Sequence, residues 1–202
     1  MHYPDFYTQV STIKLYDPLS EFLGAFEKGE VEISYLDCVK LAGHSCPTVA
    51  GAYLMASKGL ESLYGTTLPP RGSIKVEMHD SESVGVTGVI CNVISFIVGA
   101  SGVGGFKGIQ GNFSRDNLVA YDTAMSGEVK LTRIDTNKSV ILSYDPSSVP
   151  ADPMMQPLMG KSLKGLASED EKRTFGTLWQ KRVEEILLHS ANHPQLISII
   201  KD

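Results

Sequence analysis

The chain has 202 residues, with 42% hydrophobic and 20% charged positions and a formal net charge of -5. That length fits one globular domain able to bury a sizeable core, and the composition excludes disordered and fibrous classes. No long run of Lys or Arg is present, so the basic face of a nucleic-acid binder is missing and nucleic acid is excluded as an expected partner.

The opening residues, Met1-His2-Tyr3-Pro4-Asp5, contain neither a basic segment nor an apolar stretch of leader length. The most apolar window, 84–103, is interrupted by Gly85, Gly88, Asn92, Gly99 and Gly102, so no membrane span is expected and a cytoplasmic protein is. Cys38, Cys46 and Cys91 are an odd set that suits free thiols or metal ligands better than disulfides. Taken singly, each is as readily a small buried hydrophobe.

In chain order, Leu19, Phe22, Leu23 and Phe26 recur at helical spacing and predict an amphipathic helix over 18–27. Ser34 with Asp37 starts a second helix that stops near Gly43, and Pro47 starts a third whose stripe of Val49, Ala52, Tyr53, Ala56, Leu60 and Leu63 runs to Tyr64. Ile74 and Val76 alternate with Lys75 and Glu77 as in a strand. Residues 84–98 read as a strand entering a buried helix near Cys91, followed by six glycines between 99 and 111 that predict a mobile cover or contact loop.

Strands are expected over 117–121, 128–134 and 139–144, most simply as an antiparallel meander. Pro146, Pro150, Pro153 and Pro157 predict an extended connector over 146–165, and Ser168 with Glu171 begins a last helix over 168–190. Helices followed by strands give an α+β domain in which a mixed or antiparallel sheet is packed by helices, with the C-terminal helix on the same core.

The chemistry concentrates around Gly43-His44-Ser45-Cys46-Pro47. His44 and Cys46, with Cys91 from a distant segment and Cys38 nearby, supply soft ligands that suit zinc, iron, copper or nickel. Cys46 precedes Pro47 at a helix start, where unpaired N–H groups and the helix dipole favour a thiolate. The chain has no C-x-x-C pair, so a closed zinc finger is set aside. The polar stretch Glu77-Met78-His79-Asp80-Ser81-Glu82 follows a strand and is either a solvated turn or a source of further ligands. The glycine-rich loop lacks the phosphate-cradle order, because Lys107 precedes Gly108 and Ile109, and no G-x-S-x-G elbow supports a serine hydrolase.

Ala42-Gly43-His44-Ser45-Cys46-Pro47, continued as Gly51-Ala52-Tyr53-Leu54-Met55-Ala56, resembles the signature of the FmdE-like family, which is named for a component of formylmethanofuran dehydrogenase. Cys91, Gly99-Ala100-Ser101 and Gly111-Asn112-Phe113 resemble its second block, so the resemblance covers about residues 15–145. It implies an α+β core, a homodimer and a metal-bearing cleft formed by His44, Cys46 and Cys91. The family's C-terminal zinc finger has no counterpart, since no cysteine follows Cys91, and Thr48 and Ala100 stand where the family carries Gly and Cys.

Three functions follow as expectations. The first is a transition-metal or redox protein, with zinc as the expected ion and iron or nickel as alternatives, that takes a small-molecule ligand or substrate. The second is a metal-free thiol enzyme with Cys46 as nucleophile and His44 as its base, and the third is a non-enzymatic ligand-binding accessory module.

Overall fold

The computed structural model describes residues 2–201. It is an α+β domain with six α-helices and two sheets among those residues. The strands are β1 (Ile13–Tyr16), β2 (Glu30–Ile33), β3 (Ile74–Met78), β4 (Val119–Ala120), β5 (Val129–Arg133), β6 (Ser139–Tyr144) and β7 (Ile197–Lys201). The helices are α1 (Pro18–Phe22), α2 (Tyr35–Ala42), α3 (Pro47–Tyr64), α4 (Thr87–Val98), α5 (Met155–Leu163) and α6 (Glu169–Glu184).

The main sheet has the order β4-β3-β5-β6-β7. Its pairs are antiparallel except β4, which lies parallel to β3 through Val76 opposite Val119. Ile74, Val76 and Met78 point into the core with Leu131 and Leu142 from the neighbouring strands, while Lys75 and Glu77 point away, the alternation a half-buried strand requires. Helix α3 packs on β6 and against α4, which in turn covers β3. Gly59 permits the close approach of α3, because a Cβ there would come within 2.6 Å of a Leu131 methyl.

The start and stop signals of α2, α3 and α6 act as the sequence indicates. Ser34 and Asp37 form a reciprocal capping box, and Gly43 ends α2 at φ 75°, a left-handed conformation that glycine adopts without a Cβ penalty. Pro47 occupies the first turn of α3, and Ser168 and Glu171 cap α6 in the same reciprocal way. Helix α6 runs on through a single π turn, Glu185–His189, and the chain leaves it before Pro194.

Several expectations are corrected. The helix expected over 18–27 is only the five residues of α1, broken at Gly24 with φ 68°, and Phe22, Leu23 and Phe26 stay exposed. No strand precedes α4; residues 84–86 form a turn. The connector over 146–165 contains α5, whose Pro157 sits in the first turn, where a missing N–H costs nothing. The expected meander is interrupted, since β4 pairs with β3 and not with β5. The hairpin-like pair β1–β2, with Ile13 opposite Ile33 and Leu15 opposite Val31, and the edge strand β7 were not expected.

The small β1–β2 sheet is tied to the rest through the segment around Arg71. The Tyr16 N–H donates to the Pro69 carbonyl and the Arg71 N–H to the Tyr16 carbonyl. At the same place the Arg71 guanidinium donates to the Ile97 and Phe96 carbonyls at the end of α4, satisfying groups a helix C-terminus leaves open.

Candidate functional site

A cleft of about 720 Å³ opens between the end of α2, the exposed face of α4 and the glycine-rich loop. His44 enters it from the α2–α3 turn, Cys91 and Ser95 from α4, Tyr121 from beyond β4 and Glu82 from the loop after β3. Cys91 and Ser95 are four residues apart on one helix and so share a face, with the thiol 3.7 Å from the Ser95 hydroxyl. The Tyr121 hydroxyl faces both the Cys91 thiol and the Glu82 carboxylate. This volume, with a few polar groups converging on an otherwise apolar wall, is the ordinary make-up of a small-molecule site.

Burial sets the protonation states along this wall. It pushes the Cys91 thiol up from its ordinary value, and the Glu82 charge adds to the shift, while contacts from Tyr121 and Ser95 offset part of it. Burial likewise raises the Tyr121 hydroxyl, helped by Cys91 and Glu82. At neutral pH the wall therefore presents a neutral thiol and a neutral phenol, both able to donate a hydrogen bond.

His44 is exposed at the mouth, with Nδ1 3.0 Å from the Ala42 carbonyl. A carbonyl cannot donate, so Nδ1 carries the proton of this contact, and Nε2 is the ring nitrogen that it leaves unengaged.

Cys46 has a different setting. It is the residue before α3, its sulfur accepts the Val49 N–H at 3.4 Å, and it is 7% exposed. Its surroundings include Tyr35 and Tyr144, and it is not among the residues that line the cleft. Cys38 lies fully buried in the core beneath Tyr53, where burial pushes its thiol up to about 12. All three cysteines are free.

The loop holding Cys46 is fixed by α6. The Ser45 hydroxyl donates to Gln180 Oε1 at 3.0 Å and so accepts from the Tyr35 hydroxyl, 2.9 Å away. The Ser45 carbonyl accepts the indole N–H of Trp179 at 2.9 Å. These partners lie over 130 positions away in sequence, which is why the capping signal at Ser168 locates the helix without indicating its target.

Of the polar stretch after β3, Glu82 reaches the cleft. Glu77 is held by Lys75 and Thr132, and His79 and Asp80 are half-exposed with 3.9 Å between them. Among the described residues, no group of three or more His, Cys, Asp or Glu side chains is placed to hold a metal ion. The structure thus brings His44 and Cys91 to one cleft, sets Cys46 in a neighbouring packed environment, and leaves Cys38 in the core. Tyr121 was missed by sequence reasoning, since as the last residue of an expected strand it carried no signal of its own.

No helix among the described residues is long and apolar enough to cross a membrane. No protein-family model matches the chain, and no curated protein sequence matches it.

Proposed function

We propose that the protein binds a small polar molecule in the cleft between α2, α4 and the glycine-rich loop. The observation that carries this reading is the convergence of Cys91, Tyr121 and Glu82 on one wall of a cavity of about 720 Å³. The wall offers the donors of a buried thiol and a phenol beside the carboxylate of Glu82, which is itself exposed. The test is an amide-resolved NMR screen with a small-fragment set, comparing the native chain with Asn92→Trp, which fills the cavity from α4. Fragments that shift the Gly102 and Val103 amides in the native chain alone support the reading, and a set that shifts neither overturns it.

A transition metal in the same cleft is the second reading, favoured by the free Nε2 of His44 and the Cys91 thiol lining one space. Two protein donors fall short of the three that hold a catalytic zinc, so further ligands would have to come from the bound molecule or another side chain. Cobalt titration of untagged protein tests it: a thiolate-to-cobalt absorption lost in Cys91→Ser supports this reading, and its absence removes it. The thiol-enzyme reading centred on Cys46 draws least support, because that thiol caps α3 among buried side chains.

A further inference from the structure

We infer that the small molecule taken by the cleft carries an oxyanion, a carboxylate or phosphate group, that docks on Arg115. This rests on the reading of the cleft as a small-molecule site. A second cavity of about 400 Å³ adjoins the cleft and shares Ser95, Phe96, Ala100 and Ser101 with it. Its charged lining is Asp17, Arg71 and Arg115, two guanidiniums against one carboxylate, which leaves one positive charge in excess.

The three groups are unequally occupied. Asp17 is 2% exposed, and its oxygens accept the Ser20 N–H, Arg115 Nη2 at 2.7 Å and Arg71 Nη1 at 3.0 Å. Arg71 also donates from Nε to the Ile97 carbonyl and from Nη2 to the Phe96 carbonyl, so all three of its nitrogens are engaged. Arg115 makes that one side-chain bond to Asp17, so its Nε and Nη1 donors have no hydrogen-bond partner among the described residues. Its side chain is 13% exposed, so these donors meet only the little water the cavity admits. A planar cation in that state is suited to an oxyanion, which supplies charge-assisted acceptors where little water reaches.

The fold holds Arg115 in this place. Gly72 is at φ 80° and Gly99 at φ 70°, and a Cβ on Gly72 would stand 3.0 Å from Arg115 Nε. The Arg115 backbone is stitched into the glycine-rich loop, its N–H donating to the Phe106 carbonyl and its carbonyl accepting the Ser101 N–H. The Ser95 and Ser101 side chains line both cavities, and Glu82 stands on the wall of the larger one alone. Charge therefore orients the occupant, with its acid group on Arg115 and a hydrogen-bond donor, such as a hydroxyl or amine, toward Glu82 and Tyr121.

Matched probes test this at fixed ionic strength: butyrate against butyramide, and glycerol phosphate against glycerol, each followed through the Ser101 and Gly102 amides. The acid member of at least one pair binds about tenfold tighter or more, the equivalent of one charge-assisted hydrogen bond, and which pair responds distinguishes carboxylate from phosphate. Arg115→Lys keeps the charge opposite Asp17 but loses the fork, so it erases most of that difference. In the native chain the acid also moves the Arg115 Nε–H resonance, a readout that survives if the variant fails to fold. Equal binding of acid and neutral members overturns the oxyanion and leaves the cleft reading intact. An unmoved Nε–H resonance, or a difference that persists in Arg115→Lys, overturns the role of Arg115. Silence from every probe at every amide overturns both.

Discussion

The turn holding Ser45 and Cys46 and the cleft wall holding Cys91 lie in the same domain and use the same residue types, yet they spend their polar groups differently. In the turn, the Ser45 hydroxyl and carbonyl and the Cys46 sulfur are already engaged by Tyr35, Gln180, Trp179 and the Val49 N–H. On the wall, the Cys91 thiol, the Tyr121 hydroxyl and the Glu82 carboxylate line open volume. Groups saturated within the protein contribute to stability, whereas groups aimed at a cavity are available to a ligand. Of the residues the resemblance singles out, His44 and Cys91 line the cleft and Cys46 does not.

The sharpest way to break this contrast is Trp179→Ala, which removes the indole bond to Ser45 and the ring's packing on Phe175. A loss of about 2 to 3 kcal/mol is expected by urea denaturation. A loss under about 1 kcal/mol, the scale of a single hydrogen bond, would mean the turn is not held by α6.

Alkaline titration comes next. Cys38 has its thiol raised from 9.0 to about 12, so the native state keeps a proton that the unfolded state releases. The contribution is complete below about pH 9, fades as pH rises and is gone above about 12, at no more than about 1.4 kcal/mol per pH unit. Cys38→Ala should flatten this decline, measured as the slope of unfolding free energy between about pH 9 and 10.5.

Tyr35→Phe removes one partner of the Ser45 hydroxyl and should cost about 1 kcal/mol, read from the urea midpoint. Cys46→Ser is expected within about 1 kcal/mol of the native chain, because serine is a strong N-cap and can take the Val49 N–H in place of sulfur. The smallest stability effect belongs to the wall. Tyr121→Phe should change the melting free energy by about 0.5 kcal/mol or less, as a group facing a cavity, while weakening whatever the cleft binds. A larger cost there would erase the contrast between wall and turn.

The elements legible in the sequence are those whose signals are local. Ser34 with Asp37, Pro47, Gly43 and Ser168 with Glu171 mark helix ends because a cap acts within about one helical turn. The β1–β2 pair escaped because each strand has four residues and its partner lies beyond a helix. Helix α5 escaped because its prolines suggest extended chain, although Pro157 is harmless in a first turn. Strand β4 reads as a strand, but its parallel seat beside β3 depends on the path of the intervening chain.

The site divides in the same way. His44 and Cys91 are rare chemical types and stand out in any reading. Tyr121 and Arg115 acquire meaning only from neighbours in space, which no spacing rule supplies, and Glu82 stood out in the sequence only as one member of a polar stretch. The separation of Cys46 from the cleft lining follows from its being the cap of α3, a position recognised from Pro47 and read as one that favours a thiolate.

The junction of Asp17 with Arg71 and Arg115 also bears on the order in which the chain folds. Its bonds join residues 54 and 98 positions apart, while α2, α3 and α6 close over short distances. Contacts that enclose long loops gain little until most of the chain is in place, and an ion pair gives nothing until both partners arrive. The glycine-rich side of the cleft is accordingly a late-forming part of the molecule. Asp17→Asn should then accelerate unfolding and leave the refolding rate nearly unchanged, the two arms of a denaturant chevron separating the effects; equal shifts in both arms would place the junction in the folding nucleus instead.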